Sequence, residues 1–511
     1  MSKNQVYNPY LPSFEYIPDG EPHVFGERLY IYGSHDRFDG AHYCLNDYVC
    51  YSADITDLTN WKYEGVIYKS EQDPRNLAPQ TAPPPNPPAD VVPKGPKALN
   101  PLGMHAMWAP DVVKGLDGKY YLYYCLDVLP EIGVAVCDTP AGAYQYMGLV
   151  KHPDGVPLGQ KADDLIQFDP GILIDEDQSI YLYSGNAPMH ADIINQKKGS
   201  QVMQLEADML TLRVKPKALL PDLHQGAGTG FEGHEFFEAS SIRKINGTYY
   251  FIYSSVLSHE LCYARSDKPD SGFKYGGTLI DIGDINLNGR AQAAALNAIG
   301  NTHGSIECVN GNWYVFYHRQ TNRTMFSRQG LAQPIYFNVD GSIDQVEVTS
   351  CGLNQGPLQG TGRYPAYICC QLTGQKGAVE SNPTIMKMEY PFLTQDSPDM
   401  EPDAAVLQQD QRCPYQYITN IKAGTTIGYK YFAIQSLRQI KMRLRGEGNG
   451  KFIISLVPKM KQKEEILIGE VLVPSSDTAW SEIYGNVASP EKGVYALYFT
   501  YEGSGAIDFI D

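Results

Sequence analysis

Positive charge is in short supply in this sequence. Its 41 lysines and arginines face 58 aspartates and glutamates, a net charge of −17 with histidine neutral. So acidic a chain argues against nucleic acid or an anionic membrane as partner, because both are polyanions. Long apolar runs are missing as well. No stretch of eighteen apolar residues occurs, so no membrane-spanning helix is expected. Met1-Ser2-Lys3-Asn4-Gln5 leads into Tyr- and Pro-rich sequence without the apolar core of a signal peptide, which points to a cytoplasmic protein. Ten cysteines are present, yet none forms a Cys-x-x-Cys pair with a zinc-like partner. A structural zinc site is therefore not expected, and the thiols should be reduced. Helix-period segments are scarce before residue 330.

Tyrosine is what the chain has in abundance, with 37 copies, while charged residues make up only 19%. This fits strands with aromatic faces and surfaces able to stack on sugar rings. At 511 residues more than one domain is expected. A turn followed by an aromatic strand recurs five times: Arg28–Tyr32, Tyr120–Tyr124, Ile180–Tyr183, Tyr249–Tyr253 and Trp313–Tyr317. The closing tyrosines at 32, 124, 183, 253 and 317 lie 92, 59, 70 and 64 residues apart. Such steps hold about four strands each, the blade of a β-propeller. The long first step contains a proline-rich insertion, 74–101, that reads as a surface loop. The expected fold is all-β. A five-bladed β-propeller should occupy 1–345, a linker 346–365, and a β-sandwich of jelly-roll type 366–511.

One hairpin stands out. Phe236-Phe237-Glu238-Ala239-Ser240-Ser241-Ile242 runs to a turn at Asn246-Gly247, whose residues supply the positive φ angles of a two-residue loop. Glu238 follows two phenylalanines, and apolar surroundings disfavour the ionised carboxylate, as suits a proton donor. Asp19 and Asp169 precede the first and third repeat strands in the same sense. Carboxylates brought to the inner strands of a closed ring would meet at one mouth of its channel. Glu21 is a rival to Asp19, and Glu232 and Glu235 lie close to Glu238.

These residues resemble glycoside hydrolase family 43, five-bladed propellers that cleave arabinofuranosyl and xylosyl linkages. Asp19-Gly20-Glu21-Pro22-His23-Val24-Phe25 resembles the family's opening Asp, with Gly20 where proline is usual. Trp108-Ala109-Pro110-Asp111 and Asp169-Pro170 match its later signatures, and Glu238-Ala239-Ser240 stands where Glu-Gly-Pro is usual. The resemblance implies inversion, with Asp19 as general base, Glu238 as general acid, and Asp169 orienting Glu238 and raising its pKa. It also implies a calcium ion near His303, surrounded mainly by water. Trp108 is a candidate sugar platform, and Arg319 a candidate donor to sugar hydroxyls. His35 and Asp36 are candidates for the same mouth, while Asp111 reads as architectural. The second unit resembles a family 6-like carbohydrate-binding module, through Gly428-Tyr429-Lys430-Tyr431-Phe432 and Gly503-Ser504-Gly505. The expected activity is release of terminal α-L-arabinofuranosyl residues from arabinoxylan-type oligosaccharides. A β-D-xylosidase or bifunctional arabinofuranosidase/xylosidase, and a non-catalytic sugar-binding propeller, stay open beside it, and arabinose- or xylose-containing oligosaccharides are the expected partners.

Overall fold

The computed structural model describes residues 5–40, 42–77, 105–195, 197–381, 389–396, 416–460, 464–474, 478–488 and 490–511. Most of the proline-rich insertion therefore lies outside the described residues. Five antiparallel meanders follow one another. The first blade is β1 (Glu21–Phe25), β2 (Arg28–Tyr32), β3 (Tyr48–Asp54) and β4 (Asp57–Tyr68). The second is β5 (Asp111–Lys114), β6 (Tyr120–Cys125), β7 (Ile132–Cys137) and β8 (Gln145–Leu149). The third is β9 (Gly171–Ile174), β10 (Ile180–Asn186), β11 (Gly199–Leu205) and β12 (Leu212–Ala218). β13 (Phe236–Ile245), β14 (Thr248–Ser255), β15 (Glu260–Ser266) and β16 (Lys274–Asp281) make the fourth. The fifth has three strands, β17 (Ser305–Val309), β18 (Asn312–Gln320) and β19 (Arg328–Pro334).

The aromatic repeats are β2, β6, β10, β14 and β18, each second from the axis, and their chemistry follows from that place. A strand there is covered on both faces, so its alternating residues enter two different cores. Tyr120, Leu122 and Tyr124 of β6 pack with Tyr30 and Tyr32 of the first blade. Tyr121 and Tyr123, from the other face, pack with Ile180 and Leu182 of the third. Tyr181 and Tyr183 then meet Phe251 and Tyr253, Tyr250 and Ile252 meet Val315 and Tyr317, and Tyr314 and Phe316 meet Leu29 and Ile31. That last core returns to the first blade and closes the ring at five.

Three buried phenols place their hydroxyls on backbone carbonyls. Those of Tyr32, Tyr183 and Tyr253 donate to the carbonyls of Pro140, Pro269 and His234, at 2.7 Å each. Asn8 completes the closure. Its amide donates to the Ala332 carbonyl at 2.9 Å and accepts the Ala332 N–H at 3.0 Å. The Asn246-Gly247 turn forms as expected, with φ of 51° and 82° between the paired Ile245 and Thr248.

The second β unit is a nine-stranded sheet curled around its own core. Two long strands, Gln439–Pro458 and Gly493–Phe509, pair from Leu444–Phe509 to Pro458–Tyr495 and run through the bend. The bend sits where glycines face one another. A Cβ at Gly448 would lie 2.2 Å from Ile507, and one at Gly505 1.7 Å from the Glu447 carbonyl. Only glycine admits that approach. The stretch expected as a linker is packed between the units: Ser350 N–H donates to the Lys430 carbonyl at 2.6 Å, and Leu353 is buried.

Candidate active site

The innermost strands of the five blades are β1, β5, β9, β13 and β17, and the residues just before them gather at one mouth of the ring. Asp19, Asp169 and His303 each stand two residues ahead of their strand. Glu238 lies in a bulge near the start of β13. Asp19 and Asp169 have φ of 57° and 44°, and Ala239, beside Glu238, has 70°. Non-glycine residues rarely adopt this left-handed region, and such strain concentrates at functional sites. Here the Asp169 carboxylate holds the fourth blade's turn in place by accepting the Ala239 N–H at 3.1 Å. His303 Nδ1 lies 3.4 Å from the same carboxylate oxygen.

Asp19 is buried and strongly anchored. Arg328, the first residue of β19, gives Nη1 to Asp19 Oδ1 at 3.1 Å. Its Nε and Nη2 fork onto the two oxygens of Asp36, at 2.8 and 3.0 Å, and its plane lies 4.5 Å over the Tyr43 ring. His318 accepts the Asp19 N–H at Nδ1, 3.2 Å away, while its Nε2 is 2.9 Å from the Asn301 carbonyl. Nδ1 also lies 3.2 Å from Asp19 Oδ1, and burial lowers the His318 pKa. Arg328 is the strongest of the groups that favour the Asp19 carboxylate. Burial alone would raise the Asp19 carboxyl, but Arg328, with smaller contributions from His318 and His303, outweighs it and holds the group well below the usual range.

Glu238 is shifted the opposite way, up to about 8, first by burial and then by the negative charge of Asp169. Burial likewise raises Asp169, opposed by His303, whose own pKa rises to about 9 because Asp169, Asp19 and Glu21 together outweigh burial. Asn186, the last residue of β10, donates to Glu238 Oε2 at 3.2 Å, and Lys198 Nζ donates to Asn186 Oδ1 at 2.6 Å. Two carboxyls at one mouth are thus held in opposite protonation states.

An aromatic wall stands beside them. Trp108 packs edge-on against Phe168, with ring centroids 5.1 Å apart, and lies 5.9 Å from Tyr43. Phe326 meets Tyr43 at 4.7 Å.

A cation held by protein oxygens does not fit at His303. Among the described residues, two groups of three His, Cys, Asp or Glu side chains have ligand atoms close enough to share an ion. They are His234–Glu260–Cys262 and Glu21–His23–Asp111, and neither includes His303. Calcium takes six to eight oxygen ligands. The donor set at His303 fits only an ion carried by one imidazole and otherwise by water.

The family model for glycosyl hydrolases family 43 matches residues 17–343. The chain belongs to that family. A xylosidase/arabinosidase of Thermoclostridium stercorarium is 45% identical over 507 residues, 99% of this chain and 98% of that relative. An arabinoxylan arabinofuranohydrolase of Paenibacillus polymyxa is 25% identical over 521 residues, covering 94% and 70%. Among solved structures, a family 43 arabinoxylan arabinofuranohydrolase from Bacillus subtilis in complex with cellotetraose is 21% identical, with a TM-score of 0.48 across 99% of this chain and 96% of that one.

In this glycoside hydrolase the structure gathers Asp19, Asp169, Glu238, Trp108 and His303, and it moves three other candidates elsewhere. Arg319 sends its two terminal nitrogens to the carbonyls of Cys369 and Tyr367, at 2.9 and 2.8 Å, and so ties the propeller to the second unit. The reason is strand alternation: His318 faces Asp19, so its neighbour in β18 faces away. His35 is buried with Nδ1 2.8 Å from the Asp47 carbonyl. Asp36 holds Arg328 and the Cys44 N–H rather than the open mouth. Glu21 is spent on Arg243 at 2.9 Å and the Ser241 hydroxyl at 2.7 Å. Asp111 is architectural as expected, joining His23 at 2.7 Å and the Ile172 N–H at 2.8 Å. Sequence reading missed Arg328, His318, Asn186, Lys198, Tyr43 and Phe168. Of these, Phe168 and His318 adjoined recognised positions, Asp169 and Arg319.

Proposed function

We propose that this family 43 hydrolase releases terminal α-L-arabinofuranosyl residues from arabinoxylan-type oligosaccharides with inversion, acting in the cytoplasm on short oligomers. The observation that carries the reading is the opposite pKa displacement of Asp19 and Glu238 at one mouth. Inverting hydrolysis needs a carboxylate that takes a proton from water and a carboxylic acid that gives one to the leaving oxygen. Asp19, kept ionised by Arg328, serves as the base. Glu238, kept protonated near neutral pH, serves as the acid. Water attacks the anomeric carbon as the glycosidic C–O bond breaks. Its proton goes to Asp19, and the proton of Glu238 goes to the departing alcohol. Asp169 contributes its negative charge and fixes the turn carrying Glu238. The aromatic wall offers apolar faces to the sugar.

Two relatives support the substrate class through their names, xylosidase/arabinosidase and arabinoxylan arabinofuranohydrolase. The first name also favours a second reading, β-D-xylosidase or both activities together. Calcium beside His303 belongs to the proposal as a water-rich ion; when bound it adds positive charge next to the carboxylates. The test is turnover of nitrophenyl α-L-arabinofuranoside and nitrophenyl β-D-xylopyranoside side by side, with Glu238→Ala as blank. Faster arabinofuranoside turnover supports the first reading and faster xyloside turnover the second. Silence on both, with oligosaccharide binding retained, would overturn both.

A further inference from the structure

We infer that Asn186 and Lys198 form a proton-placing pair, which decides which oxygen of Glu238 carries the acid proton. The inference rests on the general-acid reading of Glu238 and goes beyond it. Lysine's ammonium only donates hydrogen bonds. At 2.6 Å from Lys198 Nζ, the atom of Asn186 facing the lysine must be the carbonyl oxygen Oδ1. The amide orientation follows, with Nδ2 turned to Glu238 Oε2 at 3.2 Å. An amide NH2 is also a donor only, so Oε2 must accept. The proton of the neutral acid therefore sits on Oε1. Among the described residues no group hydrogen-bonds Oε1, and Glu238 is only partly buried, so this oxygen is free to meet the leaving group.

The reverse arrangement shows what the lysine prevents. With the amide rotated by half a turn, Oδ1 would face Glu238 and accept the acid's O–H, tying the proton to Asn186 instead of the glycosidic oxygen. Asn186 closes β10 opposite Gly199, and Lys198 immediately precedes that glycine, so the hairpin itself keeps the two side chains adjacent. Neither residue touches the reacting atoms in this account; both are positioning residues.

A positioning role of this kind has a signature that a structural role lacks. Good leaving groups need little protonation and poor ones need much. The experiment measures kcat for aryl glycosides of whichever pentose is turned over, from 4-nitrophenol to unsubstituted phenol, in the full chain. Lys198→Met is expected to lose about tenfold on the phenyl glycoside and only about twofold on the nitrophenyl one, a fraction of the full effect of general acid catalysis. Asn186→Leu should steepen the dependence in the same way, and Lys198→Arg, which keeps a donor, should restore the wild-type slope. Lys198→Ala, at a half-exposed position, stands in if the methionine variant folds poorly. Equal loss on every substrate, or no loss, in a folded variant that removes the Lys198 donor would overturn the inference. Glu238→Gln separates the two layers. If it shows no steepening, the general-acid reading fails first, and this inference with it.

Discussion

Arg328→Met is the sharpest perturbation the structure offers. The methionine keeps much of the side chain's bulk and removes the one cation shared by Asp19 and Asp36, both buried. Two carboxylates are then left without a counter-ion. Breaking a buried ion pair from one side costs about 3–5 kcal/mol. Over the roughly 345 residues of the propeller, at about 2.1 cal/mol/K per residue, that corresponds to a melting temperature lower by roughly 4–7 °C. The pH dependence carries the sharper information. In the wild type the Asp19 pKa is depressed, so its contribution to stability is present above the unfolded value of about 3.9 and is lost as pH falls through the folded one. Without Arg328, burial prevails and the folded pKa rises above the unfolded value. The variant's stability deficit therefore narrows on acidification. Activity follows the same sign: the base must be ionised, so an acid limb should appear above pH ~4, where the wild type shows none from this group. The assay is kcat/KM against pH, with thermal melts over the same range. An acid limb that stays where the wild type has it, with a deficit independent of pH, would refute the assignment of Arg328 as the group that keeps Asp19 charged.

Other outcomes follow from the same geometry. The wild-type kcat/KM should fall above pH about 8, since the acid is active protonated and its pKa lies there; a profile flat to pH 10 would contradict this. Arg319→Ala leaves the Cys369 and Tyr367 carbonyls without their donors, so melting should drop by about 1–3 kcal/mol of stability while KM stays unchanged. A raised KM at unaltered stability would return Arg319 to the ligand role. EDTA should lower both turnover and melting temperature if a water-rich calcium sits by His303, and unchanged values would remove the ion from the account.

The ring was readable because each repeat strand is buried on both faces. That forces runs such as Tyr120-Tyr121-Leu122-Tyr123-Tyr124, which stand out against turns even without polar alternation. Asp19 and Asp169 were readable as acids placed just ahead of an inner strand. The groups that set their charge were not. Arg328 reaches Asp19 only because the fifth blade closes on the first, across 309 residues of sequence. His318 and Arg319 are neighbours, and nothing local to the pair decides which faces the mouth; strand register does. The departure at Ala239 is explained by the third blade, whose Asp169 holds that backbone N–H and with it a left-handed alanine. The Asn186–Lys198 pair belongs to no motif, and the β10–β11 hairpin alone brings it together.

The central claim is that Asp19 and Glu238 act as base and acid across a single displacement. Proton NMR of the sugar first released tests it most directly, recorded before mutarotation for the wild type, Asp19→Asn and Glu238→Gln. The wild type should release the inverted anomer, and kcat should fall at least about a hundredfold in both folded variants. A retained anomer would demand a carboxylate nucleophile and contradict the assignment of Asp19.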